Sequence, residues 1–427
     1  MIFGMDAGLY IRLSAMMFLE YAIWGAWYPV LAARLLGPLK FTGKQTGWIY
    51  ATIPLGCIIS PLFAGQIADR WINTEFILAG AHLVGTLLLF VAAWKRDFKS
   101  LFTALLVYAL FFAATLPLVN SLMFRHLGLH GAEASQQYIF MWAPIAWALA
   151  GYFLTGWRWV FKTAEEGRDC LVLAGVLSVI MAVVCGALLP ATPPTAVAAA
   201  GSSIGRALSM LGDPTFLIFI IISFVGAGMM QFYFLGTAQF MQNRGIAAKN
   251  VPAAMAVAQA MQALATLAAL GWMVGHAGHK WTLAAGAACW LILYIIYVAP
   301  SPRALLVAGQ AFHGLAYVFF IIGGQIFVNS VAPKDVQATM QALIFMAQSG
   351  VGLFLGTQFA GIVMDKYRQE DRFEWRPLWT VPGGVMMVCT LALVLVFWPP
   401  SPKAAPPQPS GQNSTQVAAP AQPDAAK

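Results

Sequence analysis

Charge is what this chain has least of. Asp, Glu, Lys and Arg make up 9% of its 427 residues and hydrophobic residues 60%, whereas an ordinary soluble domain is roughly 25% charged. That shortage excludes a soluble globular protein. Cysteine is also thin: Cys57, Cys170, Cys185, Cys289 and Cys389 are scattered through apolar stretches without a CxxC pair, which excludes a disulfide framework or zinc site and leaves them as core fillers. There is no HExxH or Walker loop and no acidic cluster inside an apolar run, which argues against a membrane enzyme. No cofactor or metal is expected. The absence of a soluble domain argues against a sensor. The net charge of +8 lies mostly in short connecting segments and suits anionic lipid headgroups; no basic, aromatic-interleaved segment offers itself to nucleic acid. The N-terminus lacks a charged region leading to a small-residue cleavage site, so the first apolar run is expected to be retained.

What is present is a series of apolar runs, each about 20 residues or more, the length that crosses a bilayer. Twelve are expected, at approximately 10–36, 45–69, 74–94, 99–126, 135–157, 169–189, 214–242, 251–275, 280–299, 303–331, 335–365 and 377–398. Between 190 and 212 the composition turns to Pro, Thr, Ala, Ser and Gly, which reads as a linker. After residue 399 it is Ala, Pro, Gln and Ser, too poor in apolar bulk to fold. The expected class is an all-α polytopic membrane protein with two six-helix bundles, 1–189 and 213–398, and a solute site between them at the midplane.

Glu20 lies inside the first run, in Phe18-Leu-Glu-Tyr-Ala-Ile-Trp-Gly-Ala-Trp27. Even lenient scales put a charge at bilayer depth at about 2.5 kcal/mol or more, so such a residue faces a partner or a water-filled path. Helical spacing places Glu20, Trp24 and Trp27 on one face, read as a cavity wall, with Gly25 keeping the helix thin beside the tryptophans. Glu20 is the candidate proton carrier; the bland reading is a structural hydrogen bond to a neighbouring helix.

The second run ends Gly65-Gln-Ile-Ala-Asp69-Arg70. This resembles the GxxxDR loop of the major facilitator superfamily and implies gating by Gly65, Asp69 and Arg70; a weaker echo is Gly275-His-Ala-Gly-His-Lys280. The motif's place puts both termini inside the cell. Eight Lys and Arg (positions 12, 70, 125, 206, 280, 334, 403 and 427) then lie inside and the other sixteen (24 − 8) outside, opposite to the usual positive-inside bias.

Further patches resemble one branch of that superfamily, the nucleoside:proton symporters. They are Phe18-Leu with Trp24-Gly25-x-Trp27, Ala68-Asp69-Arg70-Trp71, His82, Leu118-Val-Asn120-Ser, Gln259-x-x-Gln262-x-Leu264 and Phe319-Phe320. The resemblance implies proton-driven nucleoside uptake across the inner membrane, with a pocket lined by the fifth, seventh, eighth and tenth helices. The family's pocket arginine falls on Phe140, with Pro144 and Trp147 after it; its Gln and Asn positions fall on Met230 and Tyr233, with Gln231 shifted by one. Gln259 is kept. The family glutamate becomes Gln262, and the aspartate beside Tyr317 becomes Val318. Glu20 stands where the family usually has glutamine.

Candidate solute contacts are therefore Trp24, Asn120, Phe140, Trp147, Gln231, Tyr233, Gln259, Gln262, Tyr317 and Phe320. Amides suit ribose hydroxyls or a base edge, and the rings suit a planar base. Each has a structural alternative, since polar residues also join membrane helices and most rings in apolar helices pack. Candidate proton-coupling groups are Glu20 and His313; His82 reads as a satisfied core histidine. The expected partners are a nucleoside-like solute, protons and the bilayer, for a monomer. The alternative within transport is a sugar or other neutral polar solute.

Overall fold

The computed structural model describes residues 5–132, 135–194, 208–332, 337–370 and 372–399. Twelve long helices, α1 to α12, run through these residues: Ala7–Trp27, Gly43–Arg70, Thr74–Trp94, Phe98–Leu129, Gln136–Phe161, Asp169–Ala187, Pro214–Asn243, Val251–Ala268, Gly278–Val298, Arg303–Val331, Leu343–Lys366 and Trp375–Leu395. Ten helices are long and apolar enough to cross a membrane. The other two, α1 and α2, are 21 and 28 residues long, and α1 carries Arg12 and Glu20. The expected linker, 190–212, lies largely outside the described residues, and the expected tail lies outside them beyond residue 399.

Helix starts follow from capping residues. Asp6 accepts from Leu9 N, Asp97 from Ser100 N and Asp213 from Phe216 N, with Pro214 opening α7; each carboxylate satisfies a backbone donor the helix cannot. Thr42 and Gln45 form a reciprocal capping box before α2. The boundary that differs most from the sequence reading is the end of the first run. The first run does not continue to 36: α1 stops at Trp27, and Leu31–Leu36 forms a separate short helix. Pro29 lies in the break, where its missing N–H and its ring interrupt the hydrogen-bond ladder.

The packing repeats. In the first half α2 packs on α4, α3 on α6 and on α4, and α1 on α5 and α6; in the second, α8 packs on α10, α9 on α12 and on α10, and α7 on α11 and α12. Each pairing maps onto its counterpart when six is added to both helix numbers. The halves meet through a matching pair of crossings, α2 on α11 and α5 on α8.

Hydrogen bonds between the halves gather at one end. Asp365 accepts from Gly43 N and Lys44 N, Arg368 donates to Phe41 O, Ala253 N donates to Thr155, Arg158 to Ala248 O and Trp159 to Asn250. The far end of α2, about 42 Å away at 1.5 Å per residue, is different. There Arg70 is exposed, and nothing lies within 4 Å of a Cβ built on Gly65. The Asp69 side chain lies outside the described residues. The molecule is thus latched at the Gly43 end, and among the described residues no such bond is seen around Gly65 and Arg70.

Candidate functional site

Between the halves lies a cavity, partly open to solvent, with about 720 Å³ of empty space. The first half contributes Tyr21, Trp24, Tyr28, Ala143, Pro144 and Trp147. Facing them are Ala227, Met230, Gln231 and Phe234 of α7, Gln259 and Gln262 of α8, His313, Tyr317 and Ile321 of α10, and Gln348, Ser349 and Leu353 of α11. Among the described residues no Asp, Glu, Lys or Arg lines it. A low-dielectric chamber without fixed charge admits an uncharged solute, since an ion would lose its hydration without a counter-charge.

Towards the latched end the cavity is floored by rings. Trp24 meets Trp147 edge-on at 5.6 Å, Trp147 meets Phe234 at 6.3 Å, and Phe234 meets Tyr28 at 4.9 Å between centroids. Gly25 makes the first contact possible: a Cβ there would sit 2.8 Å from Trp147 Cγ. Tyr28 OH reaches across to donate to Gln231 Oε1 at 3.2 Å.

Several polar groups in the wall are buried without a partner among the described residues. Gln231 uses its oxygen for Tyr28 and leaves Nε2 free. Trp290 Nε1 can only donate, so His313 Nδ1 accepts it at 3.2 Å and the ring proton sits on Nε2, which has no partner. His313 is further held by stacking on Tyr233 at 3.7 Å. Both amide atoms of Gln348 are unpaired. Such groups are normally satisfied in folded proteins, so a chamber lined with spare donors is built to receive acceptors.

Glu20 lies behind this wall, not on it. The cavity face of α1 is Tyr21, Trp24 and Tyr28; Glu20 and Trp27 are fully buried inside the first half. Glu20 Oε2 is 3.0 Å from His82 Nε2, and Glu20 Oε1 is 2.6 Å from Thr115 Oγ1. Thr115 Oγ1 is also 2.6 Å from Phe112 O. One hydroxyl proton cannot serve both oxygens. When Thr115 donates to Phe112 O its oxygen is left to accept from a protonated Glu20; when Glu20 is ionised, Thr115 donates to it. The cluster therefore suits either protonation state. Tyr21, Tyr108 and Cys185 are near enough to feel the carboxylate's charge.

The structure brings seven of the sequence candidates to the cavity: Trp24, Trp147, Gln231, Gln259, Gln262, His313 and Tyr317. Tyr233 lines a smaller adjoining cavity with Trp147 and Gln259. Three lie elsewhere. Phe320 is buried against Trp290 at 5.4 Å, beneath Gly226 and Gly286; Phe140 packs on Phe124 at 5.9 Å; Asn120 sits in α4 with Oδ1 buried and unpaired. Gly65 and Arg70 lie at the end away from the latch.

Residues missed by the sequence reading include Tyr21, Tyr28, Phe234, Gln348 and Ser349. Gln348 offered a signal, an amide inside an apolar run. Nothing in the sequence announced the π-helical turns Tyr317–Ile322 and Met346–Gly352, which widen α10 and α11 where Tyr317, Ile321, Gln348 and Ser349 meet the cavity; such turns are frequent at functional sites.

The sequence pattern of the family described as nucleoside H+ symporter matches residues 7–401. YegT of Escherichia coli (strain K12), which bears the name of a nucleoside transporter, is 30% identical over 404 residues, 91% of this chain and 93% of YegT. The nucleoside permease NupG of the same strain is 22% identical over 405 residues, 91% of this chain and 96% of NupG. A crystal structure of the nucleoside transporter NupG superposes with a TM-score of 0.79 at 23% identity, over 91% of this chain and 98% of that one. The likeness in shape places the fold among the major facilitators, and the family is one of transporters, not enzymes. The chain belongs to the nucleoside H+ symporter family.

Proposed function

We propose that this chain takes up an uncharged nucleoside together with a proton, by alternating access, across the bacterial inner membrane. The observation that carries the reading is the chamber itself: charge-free, ringed by Trp24, Trp147 and Tyr317, and supplied with the amides of Gln231, Gln259 and Gln262. A base is planar and apolar on its faces and polar on its edges, so rings and amides together match it. Residues 1–189 and 213–398 are the two bodies that rock about the solute, joined by 190–212. The chain acts as a monomer.

Glu20 is the proton carrier in this reading, with His82 and Thr115 as its partners. Their hydrogen bonds serve the carboxyl charged or neutral, and its position behind Tyr21 and Trp24 lets its protonation act on the cavity wall. The solute groups are Trp24, Trp147, Gln231, Gln259, Gln262, His313 and Tyr317, with His313 as a fixed donor. Both termini face the cytoplasm, so the latched end is the outer one. Several of the cations there, which the positive-inside bias counts against this orientation, are used as staples: Arg34 donates to Glu166 O and Ala93 O, Arg158 pairs with Asp169 at 2.7 Å, and Arg244 donates to Ser301 O. Cations bound this way serve folding, not topology.

The test is uptake of labelled uridine into proteoliposomes with and without an inward proton gradient, in competition with other nucleosides and with sugars. Gradient-driven accumulation blocked by nucleosides supports the reading. Accumulation indifferent to a protonophore removes the coupling, and competition by sugars alone removes the nucleoside.

A further inference from the structure

Gln348 is a polar side chain 1% exposed, on the π-helical turn Met346–Gly352 of α11, and both its amide atoms lack a partner among the described residues. It lines the cavity beside Ser349 and Leu353. Room for it is made from the next helix: a Cβ on Gly324 would lie 3.4 Å from Gln348 Nε2. A glutamine that braces two helices has at least one bond to a neighbouring element; Gln310, for comparison, donates to Tyr297 OH and accepts from it. Gln348 has none, and the wider turn keeps it at the cavity wall.

We propose that Gln348 reads the edge of the solute's base, one amide hydrogen donated to a base acceptor and the amide oxygen accepting from an adjacent ring or exocyclic N–H. The inference rests on the nucleoside reading above and adds where the base is recognised. An amide carries a donor and an acceptor side by side in one plane, and glutamine pairs in this bidentate way with base edges that carry the complementary pair. Adjacent hydroxyls on a sugar ring are neither coplanar nor fixed in their donor directions, so the flat, paired edge of a base is the better match. Tyr317, on the π-turn of α10, lines the same chamber and offers a ring face for the base plane. The other spare groups, His313 Nε2–H and Gln231 Nε2, are donors only, and suit lone acceptors such as ribose oxygens.

The experiment compares inosine with purine riboside, which differ only in that purine riboside lacks the N1–H and O6 pair. Affinities are measured for the full-length wild-type protein in detergent, for Gln348→Leu, and for Gln348→Met as a second variant of similar length, each with its melting temperature without ligand. The wild type is expected to bind inosine at least about tenfold more tightly than purine riboside, as one good paired contact implies. In the variants the ratio is expected to fall to near one through loss of inosine affinity, with melting temperature held. A ratio near one in the wild type, or a ratio unchanged in either folded variant, overturns the inference while leaving nucleoside transport intact. Wild-type protein that binds neither nucleoside overturns the reading beneath it and the inference together.

Discussion

Asp365, at the end of α11, accepts from the backbone N–H of Gly43 at the start of α2, so one half of the molecule supplies a helix cap to the other. The second carboxylate oxygen accepts from Lys44 N at 3.0 Å, and Thr42 Oγ1 takes Gln45 N at 3.1 Å. The first three donors of α2 are thereby satisfied, two of them only while the halves are together.

Removing that cap unlatches the molecule. Hydrogen bonds to a charged group contribute about 1.5–3 kcal/mol net, and the helix N-terminus adds its dipole to the attraction. Asp365→Ala is therefore expected to shift the equilibrium between closed and open at this end by about ten- to a hundredfold toward open. Distances between spin labels at Glu165 and Arg372, one on each half, read the shift directly. An unchanged distance distribution would reduce Asp365 to a surface cap.

Glycine gives a paired test that separates motion from stability. A Cβ on Gly47 would lie 2.5 Å from Thr357 O in the opposite half, and one on Gly356 would lie 2.4 Å from Gly228 O in its own half. Both are overpacking, which costs about 1–3 kcal/mol. Only the first clash is relieved when the halves part. Gly47→Ala is expected to populate the state open at this end with melting temperature nearly held, whereas Gly356→Ala lowers the melting temperature and leaves the label distances unchanged. The same outcome for both would mean that α2 and α11 do not separate.

Much of this architecture was legible because membrane helices announce themselves by length and apolarity, whereas the caps Asp6, Asp97, Asp213 and Thr42 emerged only with the structure. The cavity was legible in part. Gln231, Gln259 and Gln262 stood out as amides in apolar runs at helical spacing. Glu20 stood out too, yet its direction did not: on a helix buried all round, a hydrophobic pattern cannot distinguish the face holding Tyr21, Trp24 and Tyr28 from the one holding Glu20 and Trp27. Phe320 was misread for a related reason, since the π-turn at Tyr317–Ile322 changes which residues of α10 face inward. The cap that Asp365 supplies was not legible, because its partner lies more than 320 positions away in the chain.

Glu20→Gln tests the proton. The amide keeps the reach to His82 and Thr115 but holds no titratable proton, so accumulation against a gradient is expected to fall at least about tenfold while counterflow exchange of solute continues. Thr115→Val leaves Glu20 in place but removes one of its hydrogen-bond partners, and is expected to lower accumulation by less than Glu20→Gln does. Equal loss of accumulation and exchange in Glu20→Gln would make the residue a folding element instead.

Gln262 is where a contact to solute and a contact between helices predict different numbers. It lines the cavity, half-buried, and its side chain makes no hydrogen bond to any described residue, while its backbone oxygen accepts from Thr266 at 2.8 Å. Gln262→Leu keeps the volume and removes every donor and acceptor. A solute group left unpaired in the closed chamber costs about 1–3 kcal/mol, roughly five- to a hundredfold in affinity. An interhelical bond would instead be worth about 0.6 kcal/mol of stability, with affinity nearly unchanged. Because the side chain has no helix partner to lose, the melting temperature without ligand is expected to hold and the affinity for uridine to fall. Measured together in the same preparation, a lowered melting temperature with affinity intact would remove Gln262 from the binding site.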